Sequence, residues 1–200
     1  MIGIIDYGAG NLFSVKNALD YIGLENEITN DAKKLIEADA LILPGVGAFA
    51  DAMGMLTKSG LIPVIKEQAK KKPLLGICLG MQILFEKGLE FGVTDGLGLI
   101  EGTVEPIKAP GLKIPHMGWN SLDYVNPCPL LEGVPEGSYV YFVHSYMAVT
   151  KQENIAATCN YGGTVTALVQ RGNIFGAQFH PEKSGEVGLK MLKNFGGLIG

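Results

Sequence analysis

In the first half of the chain, short apolar runs alternate with stretches of helical period. The run Ile2 to Ile5 leads into the turn Gly8-Ala9-Gly10-Asn11, after which Leu12, Val15, Leu19 and Ile22 recur at three- and four-residue spacing. That order predicts a strand, a tight turn and an amphipathic helix, with Asn11 placed to cap it. Ala40 to Leu43 and Leu74 to Ile77 predict two more strands, with a helix near Leu61 to Lys70 between them. Runs apolar at every position predict strands buried on both faces, as in a parallel sheet covered by helices on both sides. From Leu99 to Ile174 the runs Val104 to Ile107, Tyr139 to Val143, Ile155 to Cys159 and Val165 to Val169 follow one another with little helix between them. These predict antiparallel strands that extend the sheet or pack beside it. Ile174 to Phe179 predicts a final buried strand, and Ser184 is placed to cap a last helix carrying Val187, Leu189, Leu192 and Phe195. The expected fold class is α/β, one open and mostly parallel sheet flanked by helices, with antiparallel strands added in the second half. Its site is expected at the carboxyl ends of the parallel strands.

With 200 residues, 47% of them hydrophobic, the chain can bury roughly 70% of its unfolded surface in one core, so a single domain over 1–200 is expected. The formal net charge of -4 and the scattered basic residues argue against nucleic acid, since the one basic run, Lys70-Lys71-Lys72, reads as a helix end. Cys78, Cys128 and Cys159 lie far apart. They form neither a CxxC pair nor a dense even-numbered set, which points to a reducing compartment. No run approaches the ~20 apolar residues of a membrane helix, and the first residues lack a basic leader region, so a soluble cytoplasmic protein is expected.

Chemistry enters with Gly76-Ile77-Cys78-Leu79-Gly80, which follows an apolar strand and precedes an expected helix from Met81 onward. This is a nucleophile elbow, in which flanking glycines leave room for a sharp turn and helical N–H groups favour a thiolate. An isolated cysteine is ordinarily a small buried hydrophobe; the elbow context reverses that reading. Phe179-His180-Pro181-Glu182 supplies a base at another strand end. In an extended chain His180 and Glu182 would face the same side, so the carboxylate could orient the imidazole. Pro44-Gly45-Val46-Gly47 ends a third strand and could, with the Leu79 N–H, form an oxyanion hole. Gly8-Ala9-Gly10 is similar to a dinucleotide loop but has Phe13 where the third glycine belongs, and reads as a tight turn. His116 and His144 lack metal-ligand spacing and read as structural; no metal and no cofactor is expected.

Together these residues resemble the class I (triad) glutamine amidotransferases, and within them the glutaminase subunits of imidazole glycerol phosphate synthases. The elbow and His-Pro-Glu are shared by the whole class. Leu43-Pro44-Gly45-Val46-Gly47-Ala48-Phe49, Pro115-His116-Met117-Gly118-Trp119-Asn120 and Lys183-Ser184 carry the narrower likeness. The resemblance implies a flavodoxin-like fold and a triad of Cys78 as nucleophile, His180 as base and acid, and Glu182 as orienting carboxylate. It implies an oxyanion hole at Gly47 and Leu79, and glutamine binding by Gly47, Gln82, Glu90, Ser145 and Tyr146. It further implies a heterodimer with a (β/α)8-barrel cyclase subunit, met through Trp119, Asn120, Tyr141 and Lys183, which uses the ammonia in histidine biosynthesis. Such a subunit is expected to be nearly inactive alone, its oxyanion donor turned away until the partner binds. Two alternatives remain: the glutaminase subunit of another amidotransferase, and a non-catalytic binding protein on the same fold.

Overall fold

The structure, a computed structural model, describes residues 1–199. In chain order its strands are β1 (Ile2–Ile5), β2 (Asn26–Thr29), β3 (Ala40–Gly45), β4 (Leu74–Cys78), β5 (Phe85–Gly88), β6 (Thr94–Asp95) and β7 (Ile100–Pro106). There follow β8 (His116–Ser121), β9 (Asp123–Tyr124), β10 (Tyr139–His144), β11 (Tyr146–Val149), β12 (Ile155–Asn160), β13 (Thr164–Arg171) and β14 (Ile174–Ala177). The α-helices are α1 (Leu12–Tyr21), α2 (Ala32–Glu37), α3 (Phe49–Ser59), α4 (Ile62–Gln68), α5 (Leu79–Gln82) and α6 (Gly185–Gly196).

The central sheet runs β2-β1-β3-β4-β14-β13-β12-β9. Its first five strands are mutually parallel and the rest antiparallel. Strands β1, β3, β4 and β14 are buried at every position, as continuous apolar runs require of strands covered on both faces. Two hydrophobic clusters lie on opposite sides of the sheet. Val15, Leu19, Leu192 and Phe195 of α1 and α6 belong to one, and Phe49, Leu56 and Ile65 of α3 and α4 to the other. Both expected fates of the antiparallel strands occur. Strands β9, β12 and β13 extend the main sheet, while β11-β7-β5-β6 and the β10–β8 pair form separate small sheets.

Several local expectations are corrected. Neither Asn11 nor Ser184 makes a side-chain cap. The Ser184 hydroxyl instead donates to the His180 carbonyl at 2.6 Å and accepts the Tyr141 N–H at 3.0 Å. The helix after the elbow begins at Leu79, not Met81, and lasts one turn before β5 diverts the chain. Two helices, not one, separate β3 from β4. Strand β2 and helix α2 carried no apolar run to announce them, because β2 is an edge strand with three of its four positions only partly buried. Lys72 sits past the end of α4 and donates to the carbonyls of Leu35, Ile36 and Ala38 where α2 ends, while Lys70 and Lys71 pair with Glu67. The basic run is thus used within the fold. Among the described residues no helix is long and apolar enough to cross a membrane.

Candidate active site

Strands β3, β4 and β14 end side by side, with Gly45 opposite Cys78 and Ala177 opposite Ile77. The expected site residues gather at that edge around a cavity of about 330 Å³. Its lining includes Val46, Gly47, Cys78, Leu79, Gln82, Glu90, Pro115, Ser145, Tyr146 and His180.

Cys78 occupies φ 55°, ψ -113°, a conformation costly for a residue with a Cβ, and the turn around it explains how it is held. A Cβ on Gly80 would lie 1.8 Å from the Leu43 carbonyl oxygen, one on Gly76 2.6 Å from the Gly80 oxygen, and one on Gly45 2.7 Å from the Gly80 nitrogen. The elbow is therefore pressed backbone to backbone against β3, and the glycines are a steric requirement. Leu79 opens α5, so its N–H is among those with no partner in the helix. Gly47 adopts φ 98° with open space about its Cβ position, so glycine is needed there for its conformation.

His180 Nδ1 lies 2.8 Å from Glu182 Oε1, with side chains 3% and 1% exposed. The pairing was expected from an extended chain, but Pro181–Lys183 is a 3-10 turn. Proline's fixed φ suits the first position of such a turn, which folds Glu182 back onto the ring. Burial of His180 disfavours its charge, but the Cys78 sulfur and the Glu182 carboxylate outweigh this and raise its pKa to about 9. His180 Nε2 has no formed hydrogen bond among the described residues, and the cysteine acts on its charge from beyond strict bonding geometry. Catalytic contacts are commonly this loose before substrate tightens them. Burial pushes the Cys128 thiol up to about 11 and the Cys159 thiol up to about 12.

On the far side of Cys78, the Gln82 amide donates 3.0 Å bonds to the Tyr146 carbonyl and to Gln178 Oε1, leaving its own oxygen as the acceptor. Gln178, fully buried, has its Nε2 4.0 Å from Cys78 Sγ. Gln178 was not anticipated as a site residue; the available signal is its position two residues before His180, on the same face of the strand end. Glu90, in the loop after β5, accepts the Phe49 N–H at 2.7 Å through one carboxylate oxygen. This fixes the side chain at the start of α3 and within the cavity wall.

The four expected interface residues separate into two kinds. Trp119 and Tyr141 are cross-strand neighbours with rings 6.0 Å apart, and Trp119 is 55% exposed. The Tyr141 carbonyl accepts the His180 N–H at 2.9 Å, which brings the exposed Lys183 turn alongside. Asn120, the next residue along β8, is half-buried, and its side chain is tied within the chain, its Nδ2 donating to the Asn160 carbonyl and lying against His116 while its Oδ1 accepts the Ser121 N–H.

Comparison with known proteins matches residues 3–197 to the family Glutamine amidotransferase class-I. The chain belongs to that family. Among curated relatives of this amidotransferase, imidazole glycerol phosphate synthase subunit HisH of Bacillus mycoides is 54% identical over 200 residues, covering 100% of this chain and 95% of the relative. The protein of the same name from Caldanaerobacter subterraneus subsp. tengcongensis is 53% identical, covering 100% and 98%. Solved structures share the fold at lower identity. PurLQS from Thermotoga maritima superposes with a TM-score of 0.76 at 22% identity, covering 97% of this chain and 96% of that one. A structure described as a glutamine amidotransferase gives 0.75 at 20%, covering 98% of each chain.

Proposed function

We propose that this amidotransferase is the glutaminase subunit of an imidazole glycerol phosphate synthase. Full-length identity of 54% to a relative of that name supports the reading. The observation that carries the chemistry is the 2.8 Å His180–Glu182 contact beside Cys78 at the cavity. The Cys78 thiolate attacks the side-chain amide carbon of glutamine, forming a C–S bond as the carbonyl π electrons move to oxygen. The Leu79 N–H and an N–H of the Gly45–Gly47 loop receive that oxyanion. The His180 imidazolium gives its Nε2 proton to the departing nitrogen, the C–N bond breaks, and ammonia leaves a glutamyl thioester. Neutral His180 then takes a proton from water as it attacks the thioester, and glutamate and the thiolate are released. Gln82 and Glu90 hold the polar end of the substrate, Glu90 as counter-charge to the amine, with Ser145 and Tyr146 completing the pocket beside Gln82.

Ammonia released into bulk water is protonated and lost, so the reaction is useful only when docked on a synthase. The partner is a (β/α)8-barrel cyclase forming a heterodimer through the face of Trp119, Asn120, Tyr141 and Lys183, and the lyase half of the overall reaction belongs to it. The decisive experiment measures glutamate release by this chain alone, then with a histidine-pathway cyclase barrel and its ribotide ligand. Strong stimulation is the expected result. High activity alone directs the search to another synthase, and inactivity in both tubes, with no labelling of Cys78 by a glutamine-like chloroketone, favours a non-catalytic binding protein.

A further inference from the structure

Beside the triad, the pocket wall contains a buried chain of hydrogen bonds that the hydrolytic steps do not use. His144 Nδ1 lies 2.8 Å from the Tyr146 carbonyl oxygen, and His144 Nε2 lies 3.0 Å from His116 Nδ1. His116 Nε2 lies 3.3 Å from Asn120 Nδ2. His116 is 2% and His144 6% exposed, and His116 stacks between Phe142 at 4.7 Å and Tyr161 at 4.0 Å.

The end groups permit one polarity. A carbonyl oxygen only accepts, so His144 Nδ1 carries its proton, and a neutral His144 then offers Nε2 as an acceptor. His116 Nδ1 must donate to it, which leaves His116 Nε2 to accept. Asn120 supplies that last donor, and its amide cannot be reversed without cost. Nδ2 also donates to the Asn160 carbonyl at 2.9 Å, while Oδ1 accepts the Ser121 N–H at 2.9 Å. A proton added to either ring would set two N–H groups against each other at one of these contacts. Burial acts in the same sense, pushing His144 down to about 4 and His116 below its usual value.

The far end of the chain is the glutamine pocket. The Tyr146 carbonyl accepts both His144 Nδ1–H and Gln82 Nε2–H, so both its lone pairs are committed and the orientation of the Gln82 amide is fixed with it. The preceding carbonyl, of Ser145, accepts the Ile107 N–H at 2.9 Å. The near end is Asn120, whose neighbour Trp119 faces outward on the same strand. We infer that His116 and His144 are positioning residues for glutamine: a one-way hydrogen-bond relay from Asn120 to the Tyr146 carbonyl that holds Ser145, Tyr146 and Gln82 in the geometry that receives the substrate. Each donor in such a chain polarises the next, so cutting it in the middle loosens the wall without touching a reacting atom. The inference rests on the glutaminase reading for its substrate, but its wiring can be examined separately.

The first test is nitrogen-15 NMR of the full chain labelled in histidine. Free neutral histidine favours the Nε2–H form, so two neutral rings protonated at Nδ1 and not titrating between pH 5 and 8 are the expected signature. An Nε2–H tautomer or an imidazolium at either position at pH 7 overturns the relay, whatever the chain's activity. The second test is glutamine kinetics in the complex with the cyclase barrel. His116→Phe keeps the stacked ring shape and removes both polar contacts; it is expected to raise KM for glutamine about tenfold while kcat stays within about twofold. His116→Asn restores a donor near the Nδ1 position and is expected to recover most of the loss. An unchanged KM in His116→Phe, or equal damage in the two variants, overturns the positioning role. A wild-type complex with the relay signature but no glutamine hydrolysis counts against the glutaminase reading and, with it, against positioning for glutamine, leaving the wiring standing.

Discussion

At the scale of single residues, what distinguishes Cys78 from Cys128 and Cys159 is its company. All three are buried, but only Cys78 has a histidine whose charge it stabilises, and the other two thiols are pushed up by burial. Cys78→Ala is therefore expected to abolish glutamate release in the complex. A glutamine-like chloroketone at neutral pH is expected to modify Cys78 and spare the other two, which peptide mapping of the labelled protein reads directly. His180→Asn removes proton transfer at two steps and is expected to cost about 10²- to 10⁴-fold in turnover. Since the His180 pKa is raised to about 9, the imidazolium persists through neutral pH. Glutaminase kcat/KM should therefore fall on the alkaline side with a midpoint near 9, and a midpoint near 6.5 would refute this charge pairing.

At the scale of elements, the single turn of α5 is pressed backbone to backbone against β3, with Leu79 and Met81 buried in the cluster on that face. Gly80→Ala would drive a methyl group into the Leu43 carbonyl, so both the Cys78 conformation and the register of the elbow should be lost. Urea unfolding should register the change as a large destabilisation, and chloroketone labelling of Cys78 should slow. Helix α6 offers a contrast. Leu192 is fully buried in the cluster beneath it, and Leu192→Ala is expected to cost about 2–5 kcal/mol. That change should leave kcat of the surviving folded fraction near the wild-type value, because α6 holds the scaffold while α5 holds the nucleophile.

At the scale of the molecule, two buried histidines set opposite limits on stability with pH. His144 has a folded pKa of about 4, below its unfolded value near 6.5. The unfolded chain therefore binds more protons between those values, and stability is lost as pH falls from 6.5 toward 4. His180, raised to about 9, contributes stability fully present below 6.5 and lost as pH rises through 9. Urea midpoints measured from pH 4 to 10 should accordingly peak between the two limbs. His144→Asn should flatten the acid limb, and His180→Asn the alkaline one.

The buried strands β1, β3, β4 and β14, the elbow, the Pro-Gly-Val-Gly turn and the His-Pro-Glu end were legible in the sequence, because each depends on neighbours within a few positions. Apolar runs declare buried strands, and glycines declare the close approaches that side chains would block. Helix caps at Asn11 and Ser184 were misread because a capping residue type needs a free side chain, and the Ser184 hydroxyl is drawn to β10 by tertiary contact. An edge strand with three half-buried positions carried too little hydrophobic signal to be seen at all. Tertiary structure alone decided which distant polar groups meet. Cys78 and His180 meet because the parallel strands β4 and β14 bring their carboxyl ends to a common edge, while Gln82 reaches the same cavity from α5, Glu90 from the loop after β5, and Ser145 and Tyr146 from the junction of β10 and β11. Gln178 behind Gln82, and His116 against His144 across 28 positions of chain, follow from burial, which leaves polar atoms no water and obliges them to find one another.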